Sequence, residues 1–184
     1  MNVSENLNFQ ALLQTEELPS LGPQKRLSRK SIVELEKAFN VFFRSTRLPK
    51  QNQELVRALV LLWNDHLDEA HRIAQDIETP DGAFVHGVMH RREPDYGNAK
   101  YWFHRVGEHP AFPQIAERAA DAVRTDSEKK VLAKIVGDLA APVWDPFAFI
   151  DACERARSTA PLDQAFLQRL QEIETQVLLL HFCS

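Results

Sequence analysis

Four of the seven histidines lie between Thr79 and Phe112, in the segment TPDGAFVHGVMHRREPDYGNAKYWFHRVGEHPAF. His86 and His90 are four residues apart, so on one helix both imidazoles would point from the same face. Helices use this spacing to offer two nitrogen ligands to one metal ion. Glu93 and Asp95 follow and could add a carboxylate oxygen, as in a two-histidine, one-carboxylate site. The segment therefore indicates a candidate site for a divalent metal at His86 and His90.

The length of helix between these residues limits which of them can share one ion. His86 and Glu93 are seven residues apart, and this spacing is roughly 10 Å of rise along a straight helix. We therefore do not expect one ion to be held by His86, His90 and Glu93 together. A third ligand would come from a helix end or from another segment. The candidates are His66, His71 and His104.

The two histidines also have a plain packing interpretation. His90 occupies the position at which a repeated helical hairpin usually keeps an aromatic residue. A buried neutral histidine, hydrogen-bonded to Asn98 or to a backbone carbonyl, would fill that space. Two histidines at helical spacing, outside an HExxH motif, do not decide between packing and metal binding.

Two arginines stand beside the histidines, in the run RREPD from Arg91 to Asp95. Arginine binds carboxylate or phosphate groups through two parallel hydrogen bonds, which suits an anionic ligand. The alternative is an internal ion-pair network with Glu93, Asp95 or Glu69, which would fix the direction of the chain at Pro94. The residues alone leave both alternatives open.

The polar residues of this segment together predict a binding pocket. Its predicted residues are His86, His90, Arg91, Glu93, Asp95, Tyr96 and Trp102. The leading prediction is a soluble binding or interaction protein, whose partner is a small anionic ligand, a protein or a peptide. The alternative is a metal-assisted hydrolase, in which the two histidines hold the ion and a carboxylate orients water or acts as the base. A structural oligomerisation domain is a third class, and the sequence leaves the oligomeric state open.

The elements that position this pocket are all expected to be helices. Apolar residues recur every three or four positions, and no stretch alternates in the manner of a strand. We expect seven or eight helices, with Asn64-Asp65 ending or bending the second. The predicted helical segments are 31–48, 55–63, 67–78, 79–93, 95–106, 114–124, 127–139, 146–157 and 163–181. Segments 55–63 and 67–78 form one helix if Asn64-Asp65 only bends the chain.

Two of the predicted hairpins align with an offset of 29 residues, the first starting at Ala58 and the second at Gly87. Ala58 and Ala70 are twelve residues apart, as are Gly87 and Ala99. Small residues at matched heights let the two helices of a hairpin approach closely. The spacing resembles that of tetratricopeptide repeats, although the period is shorter than their ~34 residues. We predict an all-α fold of stacked antiparallel hairpins with capping C-terminal helices.

A second resemblance covers most of the chain from about Leu48. The run HGVMHRREPDYGNAKYWFHRVGEHPAF resembles the signature of a family of uncharacterised bacterial and fungal proteins, and WNDHLDEAH and WDPFAFIDACE are similar to other parts of the same pattern. The resemblance implies no particular activity, substrate or cofactor. It implies that the polar residues of the run belong to a shared site.

Residues 1–30 are predicted to be an N-terminal arm and 31–184 a single all-α domain. The arm is expected either to pack through its apolar side chains or to be partly disordered. Those side chains are Phe9, Leu12, Leu13 and Leu21.

The composition limits which classes of partner and which cellular compartment we expect for this protein. The net charge of −4 argues against a broad nucleic-acid surface, and the longest apolar runs are too short to cross a bilayer. Cys153 and Cys183 lack any paired spacing, which is typical of free thiols in a reducing compartment. The first residues have no signal-peptide pattern. We therefore predict a cytoplasmic protein without membrane or nucleic-acid partners.

Overall fold

The computed structural model describes residues 11–157 and 161–184, the side chains of 161–163 excepted. Within these ranges the chain forms nine helices of eight or more residues and no strand. The all-α prediction is confirmed, and Asn64-Asp65 ends a helix rather than bending it. The helices are α1 Ile32–Ser45, α2 Lys50–Trp63, α3 Leu67–Ala74, α4 Pro80–Arg92, α5 Tyr96–Val106, α6 Ala111–Asp121, α7 Asp126–Val136, α8 Pro146–Ala156 and α9 Pro161–Phe182.

Side-chain caps fix where most of these helices begin. The Thr79 hydroxyl accepts a hydrogen bond from the N–H of Gly82, with Pro80 at the first helical position. Asp95 caps α5 in the same way by accepting from the N–H of Asn98. Such caps satisfy N–H groups that have no partner inside the helix. The two helices of the predicted pocket therefore start at positions that the sequence itself specifies.

Several helix boundaries differ from the prediction, including the start of α2, which lies at Lys50 rather than at residue 55. Helix α6 begins at Ala111 rather than Gln114, because Pro113 falls in the first turn, where its missing N–H has no helical partner to lose. Helix α3 ends at Ala74, four residues before Glu78. The residues after Ala74 form a turn that leads to Thr79, and the N–H of Ile77 donates a hydrogen bond to the carbonyl of Ala74 in this turn.

Helices α2 and α3 pack as one hairpin and α4 and α5 as the next, and α3 packs on α4. Helix α9 lies against α2, α6, α7 and α8, so it closes the core behind both hairpins. A Cβ built on Gly87 would lie 3.5 Å from the carbonyl oxygen of Ala99 and 2.7 Å from the ring of Phe103. The matched small residues therefore mark a close approach of α4 and α5, as the repeat alignment predicts.

Replacing Gly87 with alanine should destabilise the protein by about 1 to 3 kcal/mol, because the added methyl overlaps a core ring. The ring of Phe103 cannot move aside easily, since it packs edge-on against Phe84 at 5.0 Å. Urea unfolding would measure the loss. Gly97→Ala is the matched control on α5, where the new Cβ would meet nothing nearer than 3.9 Å and should stabilise the helix by up to about 1 kcal/mol. Equal effects at the two glycines would contradict this packing.

The arm from residue 11 to Lys30 is held against the hairpins by one buried carboxylate. Asp65, at the left-handed φ of 61°, accepts hydrogen bonds from the backbone and side chain of Arg26 at 3.0 and 2.8 Å and from Arg92 at 2.7 Å. Burial opposes the charge, but these donors hold the pKa of Asp65 below its usual value. One carboxylate thus joins the arm, the α2–α3 link and α4.

The apolar contacts of the arm follow the prediction in part. Leu12 is buried and Leu13 and Leu21 are half-buried, and the indole N–H of Trp63 donates to the carbonyl of Leu13 at 2.7 Å. Phe9 lies outside the described residues.

A second ion pair lies inside the domain itself. Arg91 on α4 and Glu174 on α9 form a two-pronged pair, with Nη1 3.0 Å from Oε1 and Nη2 bonded to Oε2. The side chains are 0% and 1% exposed, and the guanidinium lies 4.4 Å above the ring of Phe149. Burial lowers the pKa of Arg91, but the charge and the hydrogen bonds of Glu174 raise it by more, so the pKa lies above its usual value. The pair links the second hairpin to the closing helix.

Neither cysteine forms a disulfide bond. Cys153 is buried, and burial raises its pKa to about 12.

Among the helices in the described ranges, none is long and apolar enough to cross a membrane.

Candidate metal centre

Three imidazoles meet where α3 packs on α4. His86 and His90 project from one face of α4, and their rings stack at 4.9 Å between centroids. His71 reaches them from α3, with its ring edge-on at 4.7 Å from His86 and 5.4 Å from His90. One nitrogen of each residue can be chosen so that all three lie within 4.8 Å of one another. Of the three histidines that the sequence offered as a third ligand, the structure brings His71 to the pair.

The cluster is mostly enclosed, and burial favours the neutral form of His86 and His90. His86 is 3% exposed and His90 6% exposed, whereas His71 is half-buried and reaches the surface. Burial, followed by repulsion from His90 and His71, lowers the pKa of His86 to about 4. Burial also lowers the pKa of His90, despite the opposing pull of Glu93. Neutral imidazoles are the form that binds metal ions.

His90 is oriented by two polar neighbours. Its Nδ1 lies 3.3 Å from a carboxylate oxygen of Glu93, and the side-chain amide nitrogen of Asn98 lies 3.1 Å from its Nε2. A proton on Nδ1 satisfies Glu93 and leaves the Nε2 lone pair to accept from Asn98. Carboxylates often orient metal-binding histidines in this way and raise their basicity. A metal ion at Nε2 would take the place of the Asn98 hydrogen bond.

Trp102 forms the wall of the cluster on the α5 side. Its ring stacks on His86 at 3.9 Å between centroids, with 16° between the planes. The guanidinium of Arg105 lies 5.2 Å from the centre of the indole. Trp102 therefore holds the His86 ring in a fixed plane, and its indole provides a fluorescence signal beside the imidazoles.

The packing interpretation accounts for His90 but not for His86. Asn98 contacts His90, as that interpretation predicts. The Nδ1 of His86 is buried and has no hydrogen-bond partner within the described parts of the chain. An unbonded buried polar atom costs about 1 to 3 kcal/mol relative to a bonded one. A metal ion, or a ligand that donates a hydrogen bond, would satisfy this nitrogen.

The geometry limits how an ion could be held. Zn–N bonds of about 2.1 Å place two ligand nitrogens at most about 4.2 Å apart, so separations of up to 4.8 Å require a small closure. His71 is the residue with freedom to close, because its side chain is half-buried and it lies on the short helix α3. Three imidazoles leave a fourth tetrahedral position for water or another ligand.

The structure separates the remaining residues of the predicted pocket. Arg91 points into the core towards Glu174, away from the cluster, and its neighbour Arg92 bonds Asp65. The internal ion pairs exist, but their partners are not the expected Glu93, Asp95 or Glu69. Of the other four predicted residues, two serve elsewhere and two lie beside the cluster. Asp95 caps α5, Tyr96 lines a separate pocket, and Trp102 and Glu93 border the histidines.

The other two candidate third ligands lie apart from the cluster. The ring of His66 hydrogen-bonds to the carbonyl of Lys30 at 2.8 Å through Nε2. His104 is exposed and packs 4.6 Å from the ring of Phe147. Neither residue shares a described contact with His86 or His90.

A second group, which sequence reasoning missed, brings Asp81 together with His109 and His181. Nε2 of each histidine lies 2.9 Å from the same oxygen of Asp81. Nδ1 of His109 accepts from the N–H of Ala111 at 3.2 Å, so the proton of the neutral ring is on Nε2 and is donated to Asp81. A protonated nitrogen cannot bind a metal ion. We interpret this group as a hydrogen-bonded clamp between the start of α4 and the end of α9.

The fold and the site together define an all-α hairpin protein with a mostly enclosed three-histidine cluster. Comparisons of the chain with protein-family models, curated proteins and solved structures find no match.

Proposed function

We propose that this protein is a metal-binding helical-hairpin protein that holds a divalent transition-metal ion between His71, His86 and His90. The observation that carries the proposal is the buried Nδ1 of His86, which faces no hydrogen-bond partner in the described chain while two further imidazoles lie beside it. The site joins α3 of the first hairpin to α4 of the second. A bound ion would therefore stabilise the packing of one hairpin on the next.

The ligand type favours a particular group of ions. Three imidazole nitrogens suit Zn²⁺, Cu²⁺, Ni²⁺ and Co²⁺, whereas Mg²⁺ and Ca²⁺ prefer oxygen ligands. Glu93 would not bind the ion itself. Its carboxylate faces Nδ1 of His90, so it can orient the His90 ring for metal binding through the other nitrogen. The binding function is the same broad class that the sequence predicts, with a metal ion in place of the anionic ligand.

The hydrolase alternative has weaker support. It requires a carboxylate free to orient water or to accept a proton. Glu93 is paired with His90, and Asp95 accepts the capping hydrogen bond of α5. Both carboxylates named for that role are thus already bonded, and the arrangement favours binding over hydrolysis.

Zinc titration of tag-free protein at about pH 7.5 tests the proposal by calorimetry. We expect one ion per chain in the wild type and loss of that binding in His71→Ala, which removes the half-buried ligand and should preserve the fold. Glu93→Gln should weaken binding by about 10- to 100-fold, as expected for a residue that orients a ligand. His104→Ala is the matched control, because it removes an exposed histidine outside the cluster.

Copper titration gives a second measurement at the same site. Cu²⁺ bound at His86 should quench the fluorescence of the stacked Trp102, and Trp102→Phe should remove that part of the quenching. Equal zinc affinity in the wild type and His71→Ala would contradict the proposal and leave the cluster as packing alone. Binding that His104→Ala also abolishes would contradict it as well.

A further inference from the structure

We infer that the protein has a second binding site, a pocket between the arm and the C-terminal helices that takes a small organic monocarboxylate. The pocket has a volume of about 360 Å³, within the range of small-molecule sites. It lies on the side of α5 that bears Tyr96. Its walls come from the arm, the α4–α5 link, the end of α8 and the first turns of α9. The lining includes Gly22, Tyr96, Cys153, Arg157 and Gln168.

Hydrogen bonds from the body of the protein hold the arm side of this pocket in place. The amides of Gln168 and Gln171 donate to the carbonyls of Pro19 and Ser20 at 3.1 and 3.3 Å. Arg92 donates to the carbonyl of Gly22 at 3.2 Å. A wall that is already ordered loses little conformational freedom when a ligand binds. The arm therefore forms a prepared surface over the pocket.

The charge of the lining favours an anion. Among the described lining residues, Arg157 is the one charged side chain; it is exposed and lies close enough to Tyr96 to act on its pKa. Burial, which the cation of Arg157 opposes, raises the pKa of Tyr96, so the phenol keeps its proton and can donate it. A guanidinium and a phenol side by side match the two oxygens of a carboxylate. Glu154 is the nearby acid, but it lies outside the lining.

The other lining residues indicate the chemical character of the part of the ligand that is not its carboxylate. Leu21, Pro23, Pro94 and Ala156 give the walls apolar surface, which a dianion or a sugar would not cover well. Cys153 also lines the pocket, but its pKa of about 12 keeps it a neutral thiol. No bond to sulfur is needed. One cation, one phenol donor and walls that are apolar in part describe a monocarboxylate with a compact apolar body.

Benzoate and its neutral analogue benzamide test the inference, with binding followed by the amide NMR spectrum of the ¹⁵N-labelled protein. We expect benzoate to shift the signals of Gly22, Tyr96 and Gln168 with a dissociation constant in the millimolar range, and benzamide to bind at least about tenfold more weakly. Arg157→Gln should weaken benzoate binding by about tenfold or more, and Tyr96→Phe by roughly three- to tenfold. Arg44→Gln removes an exposed arginine on α1 and should change nothing.

Three results would overturn the inference. They are equal binding of benzoate and benzamide, unchanged benzoate binding in Arg157→Gln, and no shift of pocket signals up to about 10 mM benzoate, where a millimolar site would be largely filled. The His71→Ala protein serves as a further control. It should bind benzoate like the wild type, so failure of the metal proposal leaves this test unaffected.

Discussion

Replacing Arg91 with methionine should lower the free energy of unfolding by about 3 to 5 kcal/mol, the largest loss we expect from a single substitution. The loss is large because the substitution leaves Glu174 without its partner. Glu174 would stay as a carboxylate 1% exposed, with no cation to balance its charge. Removing one member of a buried pair costs far more than the pair itself contributes, because an isolated charge in the core is poorly solvated. Urea unfolding followed by circular dichroism measures the change.

Two variants separate this explanation from a simple loss of packing. The double variant Arg91→Met, Glu174→Met removes both charges and should recover most of the stability. Arg57→Met is the partly exposed control, since Nη1 of Arg57 donates to both carboxylate oxygens of Glu36 at 2.7 and 2.8 Å and the two side chains are 25% and 49% exposed. Its loss should stay below about 1 kcal/mol. A double variant as unstable as the single one would show that volume, not charge, sets the cost.

The stability of the metal-free protein should fall by up to about 3 kcal/mol as the pH drops from about 7 to 4, because of His86 alone. Its pKa is about 4 in the folded protein, against an ordinary value of 6.5. Between these values the unfolded chain binds a proton that the folded chain does not, so acid favours unfolding. The stabilisation is fully present above about pH 6.5 and is lost as the pH falls towards 4. Chelator-treated protein, unfolded with urea at each pH, gives the profile.

His86→Phe is the variant that isolates this effect. Phenylalanine keeps an aromatic ring against Trp102 but cannot be protonated, so the slope between pH 6.5 and 4 should flatten. Some slope should remain, since the pKa of His90 is also lowered. Asp65 and Asp81, whose pKa values are held below 3.8, lose their contribution only in stronger acid. An unchanged slope in His86→Phe would assign the acid sensitivity to other groups.

The helices could be predicted because their signals are local. Thr79, Pro80 and Gly107 mark helix ends through the conformations that those residues adopt, and apolar periodicity indicates the helices between them. The close approach at Gly87 could also be predicted, since it follows from the matched spacing of two small residues. Each of these inferences needs only residues that are near one another in the chain.

The site could be predicted only in part, because its completion depends on how distant helices cross. The pair His86 and His90 follows from spacing alone. The choice of His71 over His66 depends on the packing angle between α3 and α4, which periodicity does not specify. The partner of Arg91 could not be identified, since Glu174 is 83 residues away in the chain. Likewise His181 is 100 residues from Asp81, and no local pattern connects them.

The bonds that hold the arm also set an order of events during synthesis. Pro19 and Ser20 leave the ribosome early, but the glutamines that bond their carbonyls follow 149 and 151 residues later. Asp65, the anchor of Arg26, follows after 39 residues. The arm can therefore dock on the first hairpin while translation continues, but its pocket closes only when α9 has been made. Any ligand of that pocket would bind only after α9 has packed against the arm.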